Sequence, residues 1–479
     1  MRPSGGNRAR NAKNSPPRRK PPAAGDPPDI PKMNTRLLKL PEDDVTTRSN
    51  RRRLLVLDSA FTFEMITERE LFDSVTCRDL GGFFEHVWTV HPFASMLNSD
   101  GWGPRFGQPS VYEVNDRHTF IEGKVGRFSG LKWLFPANFL LSQLGLVWML
   151  WRLIKRERID VIRTGSPLYL GLLGLILSRL GKVPLVIRVG ANHDQLFRTT
   201  GEPMEPRLMR SRRIEKIVER FVFPRADLVA GANQDNLDFA IANGARPARS
   251  TLFRYGNLID KRHFVDPKHR EMDRQLFDEL GVEPGMYIIY VGRLRRLKHP
   301  DHVVQVLAEL RRRGHQVDGL LVGDGEMRGE LHDLAAVLGV GEHLKMPGNM
   351  SQAWLAHFLP HAAAVISPHT GRALSEAALA AAPVIAYDVD WQGELIDNGL
   401  TGYLVQHQDW RAMTNAVERV LQDTALGRRL GNQLRSKALQ MLDPVALDAH
   451  ERAEYSKLIA RRSPFGRTAS QSNRARQVH

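Results

Sequence analysis

The sequence predicts an α/β protein of two domains, each a parallel sheet wrapped by helices. Three observations carry that expectation. Short apolar runs of strand length alternate with segments of helix length, the pattern of βαβ units. Glycine-bearing loops follow several of the runs, as loops at strand ends do. The 479 residues are enough for two or three domains with a sizeable core.

Taken in order, residues 53–58 read as the first strand of the folded body and 87–92 as the second, ending at Pro92. His91 would stand where that strand meets a cleft, although a surface histidine is the commoner case. The rest of 61–116 shows no clear period, and 100–107, rich in glycine and proline, reads as a loop. Residues 139–154 are apolar nearly all round, with Lys155, Arg156 and Arg158 after them. They fit a core helix or an interfacial one, core being favoured because a strand pattern at 159–163 follows at once. A helix over 168–180, a strand over 184–189, a loop over 190–194, a helix over 211–222 and a strand and turn over 226–232 continue the alternation.

Residues 267–285 are polar, hold two prolines and read as a linker into the second domain. Strands follow at 287–291 and 319–322, then a strand–loop–helix–strand unit that begins at Val365 and closes with the apolar run 383–387. Helical sequence over 444–461 is expected to return to the first domain. The expected division is therefore a basic tail (1–52), a first domain (53–265), a second domain (266–443), the returning helix (444–461) and a second basic tail (462–479).

The net charge of +15 invites a nucleic-acid partner, but its distribution argues against one. Residues 1–53 hold 14 basic against 5 acidic side chains, and 461–479 hold five arginines and no acid, so the middle is nearly neutral. Both ends have a composition that buries too little surface to fold. Solvated tails are expected, anionic lipid or RNA being the contacts their charge permits, with no specific nucleic acid. The single cysteine, Cys77, excludes an internal disulfide and fits a reducing cytosol. No run approaches the roughly 18–20 uninterrupted apolar residues of a spanning helix, and 1–53 lacks a signal peptide's apolar centre. The expected location is cytoplasmic, with peripheral contact at the inner membrane face.

If the strands are parallel, the loop at 368–372 lies beyond a strand's carboxyl end, where open α/β sheets bind ligands. Gly371 would let backbone N–H groups approach an anion, and the following helix offers its positive end. Arg372 adds a fixed charge, and Glu376, about one turn on, can accept hydrogen bonds from a sugar diol. Arg293 and Lys298, at the exit of 287–291, suit a diphosphate, which leaves carrying more negative charge than it brought. Gly323-Asp324-Gly325 fits a turn, with Asp324 placed to cap the next helix.

Five pieces in order are specific where each alone is weak. They are Tyr290-Val291-Gly292-Arg293-Leu294 with Lys298; Leu321-Val322-Gly323-Asp324-Gly325-Glu326; Gly371 to Glu376; Pro383-Val384-Ile385-Ala386; and Glu394-Leu395-Ile396-Asp397-Asn398-Gly399 with Thr401 to Val405. Together they resemble the donor-binding half of the family 4 retaining glycosyltransferases, the glycosyl transferases group 1. Asn257-Leu258-Ile259-Asp260 with Phe264 is similar to the segment that closes that family's first domain.

The resemblance implies the GT-B fold, two Rossmann-like domains facing a central cleft, here with disordered basic termini. The first domain would take the acceptor and the second the nucleotide sugar. It implies transfer from a nucleotide-diphosphate sugar to a polysaccharide or polyprenyl-linked glycan, metal-independent and with no cofactor beyond the donor. Arg293 and Lys298 would stabilise the leaving diphosphate, and His193, beside Asp194, would be the cleft histidine of the catalytic set. Donor contacts would come from Gly292, Gly323, Asp324, Gly325, His369, Gly371, Arg372, Ala373 and Leu374, with Glu376 on the ribose. Asp388-Val389-Asp390 formally matches the metal signature of the other large glycosyltransferase fold, but its context makes it a turn without a metal.

One departure stands out. The family has a second glutamate eight residues before Glu376, where this chain has Pro368; His369 is the nearest polar substitute. A non-catalytic nucleotide-sugar-binding protein on the same fold is therefore the alternative, and a sugar-nucleotide epimerase fits the motif order less well.

Overall fold

The computed structural model describes residues 52–68, 71–99, 101–369 and 371–462. The expectations for the basic termini fall almost wholly outside these residues. Fourteen strands occur among them. They are β1 (Arg53–Leu57), β2 (His86–His91), β3 (Ser110–Asn115), β4 (His118–Glu122), β5 (Val161–Thr164), β6 (Leu185–Val189), β7 (Leu228–Gly231) and β8 (Ser250–Leu252) in a first sheet. A second sheet holds β9 (Tyr287–Val291), β10 (Asp318–Val322), β11 (Leu344–Gly348), β12 (Ala364–Ser367), β13 (Val384–Tyr387) and β14 (Tyr403–Val405). Their spatial orders are β3-β4-β2-β1-β5-β6-β7-β8 and β11-β10-β9-β12-β13-β14. Every pairing is parallel except β3 against β4.

The strand sequences explain their positions. β1 and β9 are continuous apolar runs because a parallel sheet is covered on both faces. On one face of the first sheet, helices Phe135–Arg156, Tyr169–Gly181 and Arg212–Val222 close a core around Leu57, Val90, Ile162 and Ile187. On its other face the last helix, Pro444–Arg462, packs Tyr455 and Leu458 against Leu54, Val56 and Phe253. The same helix sets Glu451 3.2 Å from Arg163, both buried. The second sheet has its own pair of cores, centred on Ile289 and Leu320 on one side and Ile288 and Leu321 on the other.

Three sequence expectations change here. Residues 61–116 contain an antiparallel hairpin strand, β3, whose alternating burial marks it as a sheet edge; strand-length periodicity there was too short to read. The linker at 267–285 holds a short helix, Arg274–Leu280, capped by Asp273 and anchored by fully buried Phe277. The apolar helix Phe135–Arg156 is core on one side only: Leu146, Leu150 and Ile154 are buried, while Leu140, Leu144 and Trp148 are more than half exposed.

In each sheet the order of strand addition reverses once, between β1 and β5 in the first and between β9 and β12 in the second. Reversal points of parallel sheets leave a crevice outside the strands' carboxyl ends.

Candidate functional site

β9 and β12 are neighbours, so the loops that follow them meet at the second sheet's crevice. The β9 loop is held by its backbone: Gly292 N–H donates to Val322 O at 2.9 Å, and the Tyr290 hydroxyl donates to Arg293 O at 2.9 Å. Gly323 (φ +136°) and Gly325 are required where the β10 loop packs on it. An added Cβ would sit 1.9 Å from Gly292 O and 2.4 Å from Leu294 O. Asp324 does not cap the following helix as the sequence suggested. It is exposed, its Oδ1 accepts from Gly325 N–H at 2.8 Å, and helix Arg328–Val337 starts without a side-chain cap. The helix's cap position falls at Met327, three residues beyond Asp324, and Leu294 closes the turn between them, donating to Asp324 O and accepting from Met327 N–H, each at 3.0 Å.

Arg293 is exposed at the crevice. Burial pushes the Lys298 ammonium below the usual lysine range, with Asp390 opposing that shift and Arg293 adding to it. The two cations and Asp390 thus feel one another's fields. His369, from the β12 loop, joins them. Its Nδ1 lies 3.2 Å from Leu297 O and its Nε2 3.5 Å from an Asp390 carboxylate oxygen, so it ties the β12, β9 and β13 loops together. Gln392, fully buried, fixes the same loops by donating to Pro368 O and Tyr387 O, both at 2.9 Å.

Among the described residues no side chain caps helix Arg372–Leu379, which begins at Gly371, so its first N–H groups have no partner within the helix. An added Cβ on Gly371 would meet nothing within 4 Å, so the space before Ala373 and Leu374 is open. Glu376 is 3 % exposed, 3.4 Å from Arg372 Nε, and its field reaches His263. The Arg372 guanidinium also donates to Leu258 O at 3.3 Å, so it is directed at the segment between the domains.

The first domain faces this crevice with Arg188 and Tyr255. Arg188 donates to Phe253 O at 2.9 Å and lies 5.2 Å from the Tyr255 ring centre. Burial raises the Tyr255 phenol; Arg188 opposes this, and Asp58, Asp390 and Arg372 contribute smaller fields from both domains. Glu394 bridges the domains, accepting from Gln234 N–H at 2.6 Å and from Arg254 at 2.8 Å.

His193 is 3 % exposed at the start of helix His193–Thr200. Its Nδ1 pairs with Glu219 at 2.7 Å, its ring packs on Phe239, and Arg212 binds Glu219, Glu215 and Asp194 around it. The hydrogen bonds of this histidine therefore join it to a buried ion cluster of the first domain. His91 is fully buried, not at the surface, and its pKa falls to about 4 because burial penalises the imidazolium.

Asp388 and Asp390 separate. Asp388 is exposed, whereas Asp390 takes the left-handed backbone (φ +58°) and faces Lys298 and His369. Among the described residues, the group whose atoms are close enough for a metal ion is His299, Asp301 and His302, within 4.8 Å of one another. Their nitrogens already have partners: His299 Nε2 meets His407 Nε2 at 3.2 Å, and His302 Nδ1 meets the Tyr387 hydroxyl at 2.7 Å. Burial lowers the pKa of His299 to about 3 and depresses His302 and His407, as expected of a neutral, hydrogen-bonded cluster.

Sequence reasoning missed the roles of Asp390, Gln392, Tyr255 and Glu394. A carboxylate and an amide just after an apolar run were the available signal, but nothing local says which way they turn.

The family model for glycosyl transferases group 1 matches residues 272–437, and that for the glycosyl transferase 4-like domain matches 87–256. Together they cover more than two thirds of the chain. An α-D-kanosaminyltransferase of Streptomyces kanamyceticus is 26% identical over 53% of this chain and 66% of its own length. A D-inositol 3-phosphate glycosyltransferase of Nocardia farcinica is 33% identical over 40% of this chain and 47% of its own. The chain thus spans just under two thirds and about half of these relatives. Among solved structures, sucrose-phosphate synthase from Thermosynechococcus elongatus superposes with TM-score 0.66 at 18% identity, covering 86% of this chain and all of the other. The Anabaena protein HepE, in complex with UDP and glucose, gives 0.63 at 18% identity, covering 85% and 100%.

Proposed function

This chain belongs to the glycosyl transferases group 1 family and has the GT-B fold, and from that premise we propose that it is a retaining glycosyltransferase using a nucleotide-diphosphate sugar. The observation that carries this is the meeting of Arg293, Lys298 and the uncapped helix start at Gly371 at the second sheet's reversal point. As the glycosidic bond lengthens, the diphosphate gains negative charge. Two cations and the first N–H groups of that helix stabilise that charge, more strongly where Lys298 is desolvated. They take the charge-neutralising part that a metal ion plays in other phosphate-transferring sites.

In this reading Glu376 accepts from the ribose diol, and Gly292 and the Gly323–Gly325 turn border the nucleotide. Pro368 supplies no carboxylate, so the β12 loop provides no covalent nucleophile. Retention then requires the acceptor to approach on the leaving-diphosphate face, with a diphosphate oxygen taking its proton. Asp390, held in place by His369, accepts from the donor sugar's hydroxyls in place of the absent glutamate. The acceptor is a polysaccharide or polyprenyl-linked glycan held by the first domain at the cytoplasmic membrane face. His193 supports the cleft wall from its pair with Glu219.

The test is a thermal-shift and turnover screen of UDP-, GDP-, ADP- and dTDP-sugars, with NMR of the product's anomeric configuration. The UDP in the HepE complex makes UDP-sugars the first to try. Donor-specific stabilisation with slow hydrolysis or transfer and a retained anomer is the expected outcome. An inverted product or a glycosylated enzyme in the mass spectrum overturns the mechanism. Binding without turnover supports the second reading, a non-catalytic nucleotide-sugar-binding protein, which Pro368 favours.

A further inference from the structure

We propose that the outer face of the first domain, formed by helices Phe135–Arg156, Tyr169–Gly181 and Arg212–Val222, is a docking surface for an anionic lipid bilayer. The inference goes beyond the catalytic reading and stands on different residues. The three helices lie side by side on one face of the first sheet and share its core cluster. Their outward positions are apolar where a water-facing helix would be polar. Leu144 and Trp148 are 56 % and 57 % exposed on the first helix, Ile176 and Leu180 49 % and 50 % on the second, and Ile217 and Phe221 69 % and 45 % on the third. Three neighbouring helices with this defect make a contiguous patch, and such patches mark interaction surfaces.

Charge selects the occupant. The first two helices carry no acidic residue, and the two on the third, Glu215 and Glu219, are fully buried in the ion cluster around Arg212. The exposed charges are therefore all basic, among them Arg152, Lys155, Arg179, Arg213 and Arg220. Arg152 lies 4.7 Å from the Trp148 ring centre and Arg225 4.0 Å from that of Phe221, pairing aromatic bodies with cationic heads as at a headgroup boundary. A second copy of the chain would set these like charges against each other, whereas phosphate headgroups neutralise them.

The geometry also separates lying on a membrane from crossing it. Phe135–Arg156 is long and apolar enough to cross, the single such helix among the described residues. Its inner face, however, holds buried Asn138, Ser142 and Gln143. These bond to Arg127 N–H, Lys124 O and the Tyr169 hydroxyl at 2.7, 2.7 and 2.6 Å. Crossing would strand those groups in hydrocarbon. Lying flat keeps them paired and immerses only the outer stripe, about 5–10 Å deep.

The experiment is co-flotation of the full chain with phosphatidylcholine vesicles containing about 30 mol % phosphatidylglycerol, alongside pure phosphatidylcholine. The comparison is between the parent and the triple variant Leu144→Glu, Trp148→Glu, Ile217→Glu. The parent should float with the anionic vesicles, and the variant should lose about tenfold in partitioning while keeping its melting temperature and donor-induced thermal shift. Because the substituted positions are exposed, the donor shift distinguishes failure of this surface from failure of the catalytic reading. Equal flotation of parent and variant overturns the assignment, as does equal binding of the parent to neutral and anionic vesicles. Self-association of the parent in solution that the variant abolishes overturns it in favour of a second copy. Should the triple variant misfold, Trp148→Ser and quenching by brominated acyl chains decide the matter, since the parent must lose a larger share of its tryptophan emission than the variant, and equal quenching overturns the assignment.

Discussion

The two reversal points of this molecule are alike in topology and opposite in chemistry. At the first, between β1 and β5, Asp58 is met by Arg78 at 2.5 Å and by the Ala60 N–H at 2.9 Å. Burial alone would raise the Asp58 carboxyl, but Arg78, Ala60, Arg163 and His91 outweigh it and hold the pKa below the usual carboxylate value. Arg78 also donates to Thr89 at 3.1 Å, so this crevice is closed by its own ion network. At the second, between β9 and β12, exposed Arg293, half-buried Lys298 with Asp390 opposing the shift of its ammonium, and the helix start at Gly371 belong to adjoining loops. A reversal point supplies a crevice, and the local charge balance decides whether its own ion pairs close it.

The largest effect expected from this contrast is on stability at the first crevice. Arg78→Met should cost about 3 kcal/mol in urea unfolding, because it leaves Asp58 charged and half-buried without its partner. The donor-induced thermal shift should persist, and its loss would mean the two crevices are not separate. At the second crevice Arg293→Ala and Lys298→Ala should each lower kcat/KM by about ten- to a hundredfold, roughly 1.5–3 kcal/mol, with unfolding nearly unchanged. Wild-type kinetics in both variants would remove the diphosphate assignment.

A further effect should appear with pH. His91 folds with a pKa near 4 against an ordinary 6.5, so the unfolded chain binds the extra proton first. Its contribution is intact above about pH 6.5 and is lost as the pH falls toward 4. Urea midpoints for His91→Gln should be flatter across that window than those of the parent, and parallel curves would show that other groups govern acid stability. The smallest effect belongs to Asp390→Asn. It should shift preference among donor sugars about fivefold, roughly 1 kcal/mol, because an amide keeps one acceptor but loses the charge-assisted bond. An unchanged donor ranking would leave Asp390 as a partner of Lys298 only.

The sequence by itself determined the two-domain α/β plan, most strand positions and the cations at a strand exit. These depend on local period and on glycines at loop starts, which a chain displays without its neighbours. It could not give the hairpin edge β3, whose apolar residues alternate over a few positions, or the helix hidden in a linker-like stretch, which Phe277 anchors from outside. Tertiary structure alone decided where side chains turn. His91 lies inside, and Asp324 serves its own turn because the helix's cap position falls three residues on, at Met327. Asp390 reaches Lys298 across 92 positions of chain through a left-handed turn that no local pattern announces. The helix Phe135–Arg156 is the clearest case. Over 139–154 its sequence is apolar nearly all round, and only packing against the first sheet selects which half becomes core and which half faces outward.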